Sequence, residues 1–328
     1  MKEHNVPSST DDNLPNDSVP PATVSAGHVP VLAAEILHYF SPKPGETMVD
    51  CTLGRGGHAL LIAPLLGPAG RYLGLDVDPA NLQFAQNRLQ SNSANVTCIQ
   101  ANFQQLRQAL DELGINRINL LLADLGFSSN QMDDPQRGFS FQQDGPLDMR
   151  LNPGLPSSAA DLVNRLPERE LADLIYQYGE ERLSRRIARN IVANRHRSPI
   201  LTTAQLAQIV RHAYGPAGRH QRIDPATRTF MALRIAVNDE LDALDRLLES
   251  LPGILAPGAR AGIISFHSLE DRRVKQAWQK YRASNMAEIL TKKPVIASPE
   301  ECELNPRSRS AKLRVMLWKG TGKRTNSG

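Results

Sequence analysis

Cysteine is scarce in this chain: Cys51, Cys98 and Cys302 are the three thiols, and no Cys or His stands at short spacing from another thiol. That excludes a disulfide framework and a Cys/His zinc site, so buried, reduced thiols are expected. Long apolar runs are missing too. The stretch from Ile118 to Leu125 falls far short of the roughly 20 residues a membrane-spanning helix needs, and no membrane anchor is expected. No apolar stretch precedes Val29, so the middle of a secretory signal is lacking and a cytoplasmic location is expected. Aromatic residues are absent from 1–27, which is rich in Ser, Asp, Asn and Pro. Such a segment buries too little apolar surface to offset its ordering entropy, and we expect a disordered tail there; residues 321–328 are expected to form a C-terminal tail.

With 328 residues and 41% hydrophobic composition, the chain can bury one large core, or a core and a smaller second unit. A net charge of +4 says little about partners; its distribution says more. From Arg182 to Arg234 there are eleven arginines, no lysine and a single acid, Asp224, and from Asn305 to Gly328 seven Lys or Arg and no acid. Two acid-poor basic zones point to a polyanionic partner.

From His28 onward short β-branched runs alternate with longer helical ones, the pattern of a mostly parallel α/β sheet. Strands are predicted over Thr47–Cys51, Arg71–Asp76, Val96–Gln100 and Ile118–Leu125, with helices over His58–Leu66 and Pro79–Leu89. The alternation fails after Gly126 and resumes with a helix over Glu240–Leu251, a strand over Ala261–Phe266, a helix over Glu270–Trp278 and a strand over Leu313–Trp318. The expected organisation is a discontinuous catalytic domain, 28–130 with 236–320, split by an inserted helical substrate-recognition domain over 131–235.

Three strand ends carry candidate chemistry. Asp50-Cys51-Thr52-Leu53-Gly54-Arg55-Gly56-Gly57-His58 is a glycine turn between a strand and a helix, where the backbone can approach a nucleotide closely. Asp76 ends the next strand 22 residues after Gly54, near the spacing at which an acid meets ribose hydroxyls. Asp78 better suits the N-cap of the following helix. At this point NAD and S-adenosylmethionine both remain open, since each carries adenosine. Asp124 closes the apolar fourth strand, with Ser128 and Ser129 just beyond; an acid at the end of a buried strand must find a partner.

These residues carry a resemblance. The segments His28–Leu32, Asp50–His58, Asp124–Asp134, Arg137–Phe141, Asp144–Arg150, Tyr178–Arg182, Pro225–Phe230 and Ser265–Arg272 are similar, in this order, to those of the ribosomal RNA small subunit methyltransferase H family, also called the MraW family. The resemblance implies a class I S-adenosylmethionine-dependent methyltransferase fold, Rossmann-like, with an inserted helical domain. It implies S-adenosylmethionine as cofactor, bound by Gly56, Gly57, His58, Asp76, Phe103, Asp124 and Gln131. The substrate it implies is the exocyclic N4 of a cytidine in the decoding region of small-subunit rRNA, met within a ribosomal subunit. Asn130 stands where the family pattern leads one to expect proline, and the Asn- or Asp-Pro-Pro-aromatic motif of many amino-methylating enzymes is replaced by Asp124-Leu125-Gly126-Phe127.

A cytosine amino group is a poor nucleophile because its lone pair is delocalised into the ring. Acceptors around its hydrogens and in-line placement of the nitrogen would help, and Asp124, Ser128 and Ser129 are the candidates. No metal is required, since a sulfonium is already an activated donor. For RNA contact, the spacing predicts a helix over Glu181–Asn194 with Arg182, Arg185, Arg186 and Arg189 as a basic stripe opposite Leu183, Ile187 and Ile191. Asn305–Lys319, with Arg307, Arg309, Lys312 and Arg314, reads either as a second contact surface or as an exposed tail. His267 is open between substrate contact and loop hydrogen bonding. A ribosome-assembly protein on a degenerate methyltransferase scaffold is the non-enzymatic alternative.

Overall fold

The computed structural model describes residues 30–90, 95–215 and 223–320; the two expected tails lie outside the described residues. Among the described residues seven strands form one sheet: β1 (Thr47–Asp50), β2 (Arg71–Asp76), β3 (Asn95–Gln100), β4 (Ile118–Asp124), β5 (Leu255–Ser265), β6 (Ala287–Ile289) and β7 (Lys312–Trp318), in the order β3-β2-β1-β4-β5-β7-β6. The strands from β3 to β5 are parallel, and β7 runs antiparallel to both β5 and β6. β1 leads to β2 on one side while β4 lies on its other side. The carboxyl ends of β1 and β4 therefore flank the topological switch point, where ligands bind in open α/β sheets.

Strand residues alternate between two cores. Leu73, Leu121 and Ile263 bury one face under α4 (Leu106–Glu112), α11 (Glu240–Ile254) and α12 (Ser268–Ala283). Tyr72, Leu120, Leu122 and Ile264 bury the other under α1 (Ala33–Phe40), α2 (Gly57–Ile62) and α3 (Pro79–Leu89). Burial on both faces is why β4 reads as a near-continuous apolar run. Asp78 caps α3 by accepting from the Ala80 amide at 3.0 Å, and Pro79 takes the first helical position.

Between β4 and β5 the chain forms α5 (Ser129–Asp133), α6 (Ala159–Arg165), α7 (Glu168–Gly179), α8 (Ser184–Arg195), α9 (Thr203–Tyr214) and α10 (Ala226–Asn238). Leu171, Ile175, Ile187, Ile191, Leu206 and Phe230 belong to a separate apolar cluster there. The expected limits at 130/131 and 235/236 fall inside α5 and α10. The helix predicted from Glu181 begins at Ser184, because Glu180 ends α7 with φ 48° and Glu181 turns its carboxylate onto the Leu183 amide at 2.7 Å. β5 starts six residues before its predicted position, since Pro257 and Gly258 read as a turn although the strand runs through them. A last helix, α13 (Pro299–Leu304), precedes β7. Among the described residues, no helix is long and apolar enough to cross a membrane.

Gly262 in β5 faces the Phe40 ring of α1, and a Cβ there would lie 2.7 Å from ring carbon Cε1. Gly262→Ala is expected to destabilise the fold by about 1–3 kcal/mol through overpacking. Adding Phe40→Leu should recover part of that loss. Urea denaturation of the single and double variants checks this, and strictly additive losses would refute the contact.

Candidate active site

A cleft of about 990 Å³ opens at the carboxyl edge of the sheet, lined by the glycine loop, the ends of β2 and β4, and residues returning from the insertion. Asp50 does not reach into it. Its carboxylate is buried, accepts from the Tyr72 hydroxyl at 2.8 Å and the Thr52 amide at 3.0 Å, and burial raises its pKa. It anchors the loop that follows. Gly54 and Gly56 take φ of 54° and 77°, conformations that favour glycine, and a Cβ on Gly57 would press on Pro30 at 3.2 Å.

The loop delivers His58 into the first turn of α2. His58 is buried, and its Nε2 lies 3.8 Å from Asp124 Oδ2 at the end of β4. Among the described residues neither His58 Nε2 nor Asp124 Oδ1 has a hydrogen-bond partner, although both atoms are buried. Orphaned polar atoms beside a cleft fit a polar ligand, because a site without one would leave their desolvation uncompensated. Asp76, half-buried, accepts from the Gly54 amide at 2.7 Å and the Asp78 amide at 2.8 Å. Each oxygen keeps a lone pair for a hydroxyl. Phe103 opens a short 3₁₀ turn held by Asn102, half-buried at the margin of the core with its residue lining the cleft.

Other expected site residues have structural duties. Gln131 is buried with both ends of its amide engaged: Oε1 accepts from the Ser128 amide at 2.9 Å, and Nε2 donates to Asp78 Oδ2 at 2.7 Å. It positions the loop after β4. Ser128 Oγ accepts from Asn81 Nδ2 at 3.3 Å. Ser129 begins α5, and its side chain lies outside the described residues. His267 caps α12, with Nδ1 accepting from the Glu270 amide at 3.4 Å and Nε2 lying 3.1 Å from Glu270 Oε1. It lines the cleft wall, apart from the arginine stripe.

That wall holds residues that sequence reasoning missed. Arg234 donates to both carboxylate oxygens of Glu240 at 2.8 Å and lies over the Phe127 ring at 4.8 Å, while Phe127 stacks on Phe139. Donor atoms of Glu240, His267 and Glu270 lie within 4.8 Å of one another. The guanidinium on Glu240 makes this a charge network across the junction of α10 and α11. The signal available was an arginine six residues before an acid at a helix boundary, too common to single out.

The stripe is only partly as expected. Arg185, Arg186 and Arg189 are exposed on α8, whose Ile187 and Ile191 are buried, but Arg182 precedes the helix. Arg189 also lies 3.9 Å from Glu168 of α7, an acid that only the fold brings near. The segment Asn305–Lys319 is not an exposed tail: Lys312–Trp318 is β7, and Arg314 is buried against Asp271 at 2.6 Å.

The MraW methylase family model matches residues 25–319 of the chain. The chain is similar to the Ribosomal RNA small subunit methyltransferase H of Geobacter sulfurreducens, 48% identical over 303 residues covering 88% of this chain and 97% of that protein. It is similar as well to the protein of that name from Sorangium cellulosum, 49% identical over 296 residues covering 90% and 92%. Among solved structures, Aeropyrum pernix fibrillarin in complex with natively bound S-adenosyl-L-methionine aligns at TM-score 0.37 and 11% identity over 84% of this chain and 67% of that one. That likeness is too weak to carry an argument.

Burial pushes the Asp76 carboxyl up to about 6, against the Asp78 and Gly54 amides, which favour its ionised form. Because the folded-state pKa lies above the ordinary 3.8, the folded chain holds this proton longer. The contribution to stability is present below about pH 4 and lost as pH rises through about 6. Asp76→Asn cannot ionise, so its stability relative to the parent should rise between about pH 4 and 7. Denaturation midpoints at both ends of that window test this, and a constant difference would show that desolvation does not govern Asp76.

Proposed function

The chain belongs to the MraW methylase family, and on that premise we propose that it methylates the exocyclic N4 of a specific cytidine in the decoding region of small-subunit rRNA. It is an S-adenosylmethionine-dependent methyltransferase of small-subunit rRNA; the atom and the region are the finer reading. The observation that carries it is Asp124 at the end of β4, which lines the cleft: among the described residues its Oδ1 has no hydrogen-bond partner, while its Oδ2 lies 3.8 Å from the orphaned Nε2 of His58. A carboxylate oxygen lacking a donor suits an amino group, which has two hydrogens to give.

When bound, the cofactor supplies an electrophilic methyl group on a sulfonium. Gly56, Gly57, His58 and Asp76 would hold it, with Phe103 against the adenine. The acceptor on Asp124 draws on an N4 hydrogen, favouring a nitrogen whose lone pair has left the ring, and it strengthens as positive charge develops there. The target base must be unpaired or flipped to reach the sheet edge. The exposed arginines of α8 would hold the phosphates of the surrounding RNA, and the ribosomal subunit, in the cytoplasm, is the setting this reading implies. Mass spectrometry of rRNA from a strain lacking the gene tests the proposal. Loss of one N4-methylated cytidine is expected, and an unchanged modification map would overturn it.

Asp124→Asn should lower kcat by about 10²–10³, the usual cost of one group that stabilises developing charge, while RNA affinity changes less than about twofold. An equal fall in RNA affinity would move Asp124 from the chemistry to binding. Arg185→Gln and Arg186→Gln should each lower the slope of log affinity against log salt by about 0.7–0.9 and leave the melting temperature in place. Slopes equal to the parent's would make the stripe a solvated face.

A further inference from the structure

We infer that the rim of the cleft formed by the glycine loop and α3 is a second RNA contact, a stacking platform for one unpaired nucleotide with Phe84 as its surface and Arg55 and Arg88 as its phosphate contacts. The inference rests on the reading that the substrate is RNA. Phe84 is 43% exposed. On α3 the buried positions are Asn81, Leu82, Ala85 and Leu89, so the helix does not need Phe84 for its core. The Arg55 guanidinium lies 4.4 Å from the centroid of the Phe84 ring, and Arg88 Nη1 donates to the Arg55 carbonyl at 3.3 Å, which groups the three at the cleft mouth. An exposed ring beside cations is how proteins hold single-stranded bases without reading their sequence.

Charge favours the same occupant. Residues 51–75 and 79–110 contain no Asp or Glu, so the chain forming this rim is basic without interleaved acids. The two acids between those stretches are engaged, Asp76 by backbone amides and Asp78 by Ala80, Gln131 and Arg137. Among the described residues neither Arg55 nor Arg88 forms an ion pair, whereas Arg107 pairs with Asp111. A solvated face would mix both signs. The rim stands over the β1–β3 half of the sheet and the insertion leaves from β4. A strand held at this rim would be gripped beside the base entering the cleft, which helps hold that base out of its stack.

The test uses the full chain with a fluorescein-labelled single-stranded fragment of small-subunit rRNA, read by anisotropy over a salt series, with S-adenosylmethionine affinity by calorimetry and thermal melting. Phe84→Ala should weaken RNA binding by about 5- to 150-fold with the salt slope kept, and Phe84→Tyr should restore most of it. Arg88→Gln should lower the slope by about 0.7. Cofactor affinity and melting should hold for all three. RNA affinity within about twofold of the parent for Phe84→Ala, or a loss confined to cofactor affinity, would overturn the inference; the second outcome would assign the ring to the cofactor pocket. Methyl transfer to small-subunit rRNA is followed in parallel. A parent that binds RNA through Phe84 but methylates no cytidine N4 would defeat the proposed reaction and leave the platform standing.

Discussion

The site depends on one buried carboxylate. Asp78 is 1% exposed, and a charge so placed is tolerated only with its hydrogen bonds complete. The Ala80 amide, Gln131 Nε2 and Arg137 Nη1 complete them, at 3.0, 2.7 and 2.7 Å. Each donor belongs to a different part of the fold: the first turn of α3, the short helix α5 just beyond β4, and the segment after it at the root of the insertion. Arg137 also donates to the carbonyls of Arg150 and Leu151, so the knot extends into the segment that leads to the helices. Through Asp78 the edge of the β1–β3 half of the sheet is tied across the switch point to the first residues of the insertion. Without it the loop carrying Ser128 would be tied to α3 only through the longer bonds to Asn81, at 3.3 and 3.2 Å.

A tie of this kind explains how a cleft can persist at the carboxyl edge of a well-packed sheet. The strand ends carry acids that the two apolar cores cannot accept, and each is used differently. Asp50 is sealed under Tyr72, Asp76 binds one amide of its own turn and one of the glycine loop, and among the described residues Asp124 keeps one oxygen without a partner. The differences follow from burial and from which donors lie nearby, not from residue type. Glu180, at the end of α7, accepts from Ser268 Oγ at 2.8 Å and Arg272 Nη2 at 3.1 Å. This second clasp joins the insertion to α12.

Much of the sheet was legible in the sequence because its signals are local. β2 and α3 occur at the predicted residues, since Arg71–Asp76 follows the turn glycines Gly67 and Gly70 and Pro79 follows a capping acid. β4 is legible from burial on both faces. What was not legible is contact between distant residues. Glu168 meets Arg189 only after α7 folds against α8, and Arg314 looks like part of a basic tail until β7 places it beside Asp271. Gln131 falls at a position the family resemblance assigns to cofactor, yet its amide is spent on Asp78 and Ser128. A residue can line a cleft and hold its shape at once, and no spacing rule separates those duties. The three-residue strand β6 is too short to carry a period.

The return of the chain from the insertion makes the last contribution to the cleft. α10 ends and α11 begins at Asp239, a non-glycine residue with φ 52°. This abrupt turn, strained for a side-chain-bearing residue, lets Arg234 on one helix meet Glu240 on the next. Asn238, at the same corner, donates to the Met149 carbonyl at 2.8 Å and accepts from the Leu151 amide at 2.7 Å, which ties the corner to the root of the insertion. Arg234 is thereby fixed over Phe127, three residues beyond Asp124. Both ends of the insertion thus converge on the strand end with the unpartnered carboxylate. A shift of the helices that disturbed either root would reach Asp124 through these few contacts, without passing through the sheet.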